Sequence, residues 1–141
     1  MLAFRNSMRG IVLFLGTGLL AGCGDGSKVV NVSGTLTRNG KPAPHLTIHF
    51  VPDKGRSSWG VSDENGHFNL KQDNKTPGAV IGPHTVWVEW RPLSPKEEMD
   101  PKSAKKSPDI VRIEEKYGSE KKSPLKFEIT KPVEDLEIKI D

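Results

Sequence analysis

The side chains that could do chemistry in this chain are four histidines, one cysteine, an acidic Asn-Gly turn and two outward-reading tryptophans. His45 and His49 are expected on one face of a single strand, about 13 Å apart, too far to share a metal ion. His67 and His84 fall on other strands, and all four read as surface histidines rather than as a metal centre. Asp63, Asn65 and Gly66 have the opening of a calcium loop. The further oxygen ligands and the bidentate glutamate that calcium needs are missing, so the segment reads as a turn. Neither a glycine-rich phosphate loop after a strand nor a Gly-x-Ser-x-Gly elbow is present. No catalytic residue, metal or cofactor is expected. If Val86, Val88 and Trp90 face a core, Trp87 faces out beside Glu89, where its ring can stack on a sugar or anchor a protein contact. The competing reading is that a second sheet or a long loop covers it. Trp59 is the other candidate for such binding.

Cys23 is the only cysteine. That excludes disulfides, cysteine-based metal sites and, given its position, a cysteine nucleophile. It closes an ordered series: Arg5 and Arg9, then an apolar run of twelve residues from Gly10 to Ala21, then Gly22. This is the layout of an export signal, and the run is shorter than the roughly 20 residues a bilayer span requires. Leu20-Ala21-Gly22-Cys23 resembles the lipobox of bacterial lipoproteins. The resemblance implies cleavage before Cys23, acylation of that cysteine, and a protein held on the cell membrane or outer membrane, facing periplasm or exterior. Residues 1–22 are then the signal peptide, and 23–28 the lipidated cysteine with a short polar tether. Without Arg5 and Arg9 the balance is 19 basic against 18 acidic side chains, a net charge of +1. Such a balance gives no nucleic-acid footprint. The expected partners are the membrane, through the anchor, and a protein or glycan of the envelope.

From Val29 the sequence period is two. Apolar residues alternate with polar ones through Val30–Leu36, Leu46–Phe50, Phe68–Leu70, Val86–Trp90, Leu125–Ile129 and Leu136–Ile140. Segments with one apolar face predict sheets packed on one side. Asn39-Gly40 and Asn65-Gly66 supply tight turns, with Asn65 and Gly66 both expected in left-handed conformation. Short strands with such punctuation predict an all-β sandwich over 29–141. Between Arg91 and Pro124 the pattern fails under five prolines and many lysines. Residues 94–107 of this loop read as flexible, while Ile110–Tyr117 is expected to pack back as a short strand or turn. No amphipathic helix is expected.

The order of the motifs carries a second resemblance. Val32-Ser33-Gly34-Thr35-Leu36 with Asn39-Gly40-Lys41-Pro42 looks like the first hairpin of carboxypeptidase regulatory-like domains. Ile48-His49-Phe50-Val51-Pro52 is similar to their second strand, and Ser62-Asp63-Glu64-Asn65-Gly66-His67-Phe68 to their Thr-Asp-x-x-Gly-x-Phe element. Gly82-Pro83-His84-Thr85-Val86-Trp87-Val88 resembles the strand that follows. The resemblance implies a transthyretin-like (prealbumin-like) Greek-key β-sandwich of about seven strands, acting as a non-catalytic binding or structural module. The alternative on the same fold is a small hydrolase or a carrier of ligand or metal. Hydroxyisourate hydrolases share the architecture, but their Tyr-Arg-Gly-Ser tail has no counterpart here. Tyr117-Gly118-Ser119 is internal and lacks the arginine.

Overall fold

A computed structural model describes residues 27–92, 94–100, 102 and 105–141; the predicted signal peptide and Cys23 lie outside the described residues. The chain is mostly β. Strands β1 (Val29–Val30), β2 (Val32–Arg38), β3 (Lys41–Pro42), β4 (Leu46–Pro52) and β5 (Ser58–Val61) come first. They are followed by β6 (His67–Asn69), β7 (Ala79–Val80) and β8 (Gly82–Trp90). Helices α1 (Pro95–Met99) and α2 (Pro108–Tyr117) precede β9 (Leu125–Ile129) and β10 (Val133–Ile140). Each of the six alternating segments contributes to a strand.

The strands form two open four-stranded sheets and a two-stranded ribbon. In the first sheet β2 is central, with β10 parallel on one side and β3 and β6 antiparallel on the other. The second runs β5-β4-β8-β9, antiparallel throughout. The ribbon pairs β1 with β7. Alternation turns one face of each sheet inward, and both inner faces join one buried cluster. Val32, Leu36, Phe68, Ile138 and Ile140 come from the first sheet; Leu46, Ile48, Phe50, Val86, Val88 and Ile129 come from the second. The architecture is β-sandwich-like. The sheets are stitched at one corner, where Trp59 and Lys71 exchange both backbone hydrogen bonds at 2.9 Å.

The Asp63 turn shows why its residue types are needed. One Asp63 carboxylate oxygen accepts from the backbone N–H of both Asn65 and His67, each at 2.9 Å. With the turn closed by that oxygen, Asn65 does not take a positive φ, contrary to the sequence expectation; Gly66 does, at 79°. A β-carbon on Gly66 would lie 2.4 Å from the Leu36 carbonyl oxygen. Phe68, two residues on, is 1% exposed.

The long connection between β8 and β9 is the main correction. Far from lacking an amphipathic helix, the segment forms α2, which buries Ile113 and Tyr117 and packs on the β8 side. Ile110, Ile113 and Tyr117 recur at helical spacing, and Ser107 accepts from the Ile110 N–H as an N-cap, with Pro108 at the first position. Pro95 and Pro108, read as loop punctuation, are helix starts. Within 94–107, Ser94 to Asp100 carries structure, since α1 begins the same way, with Ser94 accepting from the Glu97 N–H at 3.2 Å. α1 buries nothing. α2 closes one end of the sandwich, tied there by the Arg38–Asp109 pair at 3.1 Å and by Lys116 on Asp141 at 2.6 Å. The Tyr117 hydroxyl donates to the same Asp141 carboxylate. These two donors hold the Asp141 carboxyl down to about 2.

Candidate functional site

Strand register brings the two candidate tryptophans onto one line. On the outer face of the second sheet, His49 of β4 is directly opposite Trp59 of β5. On its other side the same His49 is opposite Trp87 of β8. Trp59, His49 and Trp87 therefore make one row across three strands. At about 4.8 Å between strands the row is roughly 10 Å from end to end. Opposite residues on one face are the closest side-chain neighbours a sheet offers, which is why rings meet here.

The row is packed within itself and polar at its margins. The His49 and Trp87 rings stack with centroids 3.8 Å apart and planes 6° apart. His49 Nε2 lies 3.3 Å from Glu89 Oε2, one row along β8. Lys71 Nζ sits 4.4 Å above the Trp59 ring, a cation–π contact supplied by the corner stitch between the sheets. Trp59 and Trp87 are half-buried, and the His49 and Glu89 side chains keep 25% and 53% of their surface exposed. The next row holds Val61, Thr47 and Glu89. Thr47 is buried, and its hydroxyl has no hydrogen-bond partner among the described residues. Burial beneath the stack holds the His49 pKa below its ordinary 6.5, and Glu89 only partly offsets this. His49 is thus a neutral ring at pH 7, presented with the indoles as an aromatic surface rather than as a cation.

The remaining histidines are scattered. His45 is not on a strand face with His49: it precedes β4 in a left-handed conformation, φ 59°, and its N–H donates to Ser62 O at 3.0 Å. His67 Nδ1 meets Thr35 Oγ1 at 3.1 Å on the first sheet. His84 is not a surface residue. It is 1% exposed, facing the core beside Phe50, and its Nε2–H donates to Val80 O at 2.8 Å. Its parity on β8 is that of Val86 and Val88, so it points inward with them, and burial lowers its pKa. Among the described residues no group of three or more His, Cys, Asp or Glu side chains is placed to hold a metal ion.

A concavity of about 430 Å³ lies between the β2–β3 hairpin and α2, lined by Leu46, Ala43 and Ile113. Of its two lining cations, Arg38 and Lys41, Arg38 is paired with Asp109. The long connection that was expected to be able to cover Trp87 instead packs on Trp90. The Trp90 N–H donates to Glu114 at 3.4 Å and Lys106 Nζ lies 5.7 Å from the Trp90 ring. Sequence parity alone gives Trp87 and Glu89 an outward direction. It misses His49 as the middle member, because only the β4–β8 register joins them, and it misses Lys71, because an isolated bridge to Trp59 outside the strands brings it there. No family model, curated protein or solved structure matches the chain.

Proposed function

We propose that this chain is an exported bacterial lipoprotein, anchored through Cys23, whose transthyretin-like, carboxypeptidase regulatory-like sandwich is a non-catalytic binding module at the cell envelope. The observation that supports the reading is the Trp59–His49–Trp87 row on an open sheet face. Half-buried rings offer stacking area, while Glu89 and Lys71 at their edge offer hydrogen-bonding groups. That pairing of an apolar surface with a polar rim recognises sugars, whose rings have an apolar face and a hydroxyl edge. A glycan of the envelope is therefore the ligand chemistry the surface fits. The flat row holds a ligand and does not enclose it, which suits binding more than turnover.

The reading predicts that purified full-length protein is retained on insoluble envelope polysaccharide. A Trp59→Ala, Trp87→Ala double variant is expected to lose that retention by about tenfold to a hundredfold, since such stacking contributes roughly 0.7–1.4 kcal/mol per ring and two rings are removed. Both side chains are half-buried on the outer face and outside the core, so the variant should unfold at a somewhat lower temperature yet keep the parent's circular dichroism at the assay temperature. Equal retention of parent and variant would remove this surface from the function.

A further inference from the structure

Resting on the anchored reading above, we propose that the end of the sandwich opposite α2 is a membrane-contact surface for anionic lipid headgroups. The described chain enters the fold there. The Ser27 hydroxyl oxygen lies 3.3 Å from where a β-carbon on Gly55 would sit, and the Lys28 carbonyl accepts from the Ile81 N–H at 2.9 Å. From Cys23 to Ser27 is four residues, a reach of at most about 14 Å. A lipid on Cys23 therefore brings this end, and not the α2 end, against the bilayer. Strand β8 runs nine residues between the two ends. That is about 30 Å, several times the ~8 Å screening length at physiological salt, so only the near end feels the headgroup charge.

What this end presents matches such a surface. The loop after β4 carries Lys54 and Arg56, the loop after β6 carries Lys75, and the turn before β10 carries Lys131. The two loops are joined by the Gln72 amide donating to Arg56 O at 3.3 Å and by Arg56 on Asp73 at 3.5 Å. Asp53 N–H donates to Pro83 O, which ties the first loop to the start of β8. Lys28, Lys54 and Lys75 form no ion pair among the described residues; at the α2 end Arg38, Lys106 and Lys116 are paired with carboxylates, and Lys41 is not. Of the acidic groups at the near end, Asp73 is already engaged by Arg56 and by the N–H groups of Lys75 and Thr76. Asp53 remains, and Glu128, Glu134 and Asp135 stand in the flanking strands β9 and β10. Amid the lysines Ile81 is 41% exposed, between Pro52, Lys54 and Pro83. An exposed apolar side chain beside Lys54 and Asp53, on an end whose loops also carry Lys28, Lys75 and Lys131, is an arrangement that can seat against headgroups, and each lysine near an anionic leaflet favours the bound state by about fivefold.

The test uses the full-length lipidated protein in nanodiscs of phosphatidylglycerol or of phosphatidylcholine alone. A nitroxide is placed on Ile81→Cys or, at the far end, on Lys41→Cys, with Cys23 protected by its lipid. In phosphatidylglycerol discs the label at 81 is expected to show bilayer contact while the label at 41 stays in water. Lys28→Gln, Lys54→Gln and Lys75→Gln together should cut that contact at least about tenfold. A label at 81 that behaves identically in both discs, or contact at 41 instead, overturns the orientation alone. Protein that never enters the discs overturns the anchoring reading together with it.

Discussion

Gly34→Ala is expected to destabilise the domain by about 3 kcal/mol, the upper end of what overpacking costs. Gly34 sits in the middle of β2, opposite Leu136 of β10, where the parallel pairing shifts register between Val133 and Leu136. A β-carbon there would lie 2.0 Å from the Leu136 carbonyl oxygen and 2.8 Å from its carbon. Both are backbone atoms, so no side-chain rotation relieves the clash. β10 has to back away from β2, and it carries Ile138 and Ile140, both buried, into the shared core. Small domains are stable by only about 5–15 kcal/mol, and this one has no disulfide among its described residues to absorb the loss. Urea unfolding followed by circular dichroism should show a lower midpoint with an unchanged slope. A shift worth less than about 1 kcal/mol would mean that β10 gives way freely and that the close approach is not a constraint.

Phe68→Ala should cost about 3–5 kcal/mol, the range for emptying a buried aromatic site. β6 has three residues, and Phe68 is the one that enters the core; His67 and Asn69 are exposed. The strand is held to β2 through Gly34↔Phe68, and the Asp63 turn delivers it. Removing the ring therefore leaves a cavity between the sheets and also loosens the corner at which Lys71 reaches Trp59. The stability loss and a weakened Trp59 environment should appear together, the second as a red-shifted tryptophan emission in the folded variant. Phe68→Leu, which keeps most of the volume, is expected to lose less than about 1.5 kcal/mol. Equal losses for the two substitutions would show that ring volume is not what this site needs.

The strands were legible where one face of a sheet is apolar and the other wet, because that contrast is written as alternation. β5 was not, since its inward positions are Ser58 and Gly60. A β-carbon on Gly60 would lie 2.5 Å from the Asn69 carbonyl oxygen, so close approach at the corner selects a small residue where a hydrophobic signal would have been. The helices were hidden by composition. Ser94-Pro95 and Ser107-Pro108 are both cap-and-first-turn pairs, and among the lysines they read as loop punctuation. The stripe Ile110, Ile113, Tyr117 stands out as an apolar cluster, but three residues between prolines and lysines give its helical period little contrast. For the site, alternation shows which way Trp87 points and nothing in the sequence shows what stands beside it. That information is in the β5-β4-β8 register, which depends on a strand without a pattern of its own. His84 shows the reverse case, a polar residue whose parity with Val86 and Val88 places it inside.

The most direct test of an envelope-anchored protein working through its aromatic sheet face is photocrosslinking in living cells. A photoreactive residue at Val61, which is 38% exposed and one row from Trp59, should capture envelope glycan. One at Asp135, exposed on β10 of the other sheet, should capture none, and the product at 61 should vanish when Trp59→Ala and Trp87→Ala are added. Equal yields at positions 61 and 135, or a product at 61 that survives the loss of both indoles, would contradict the account.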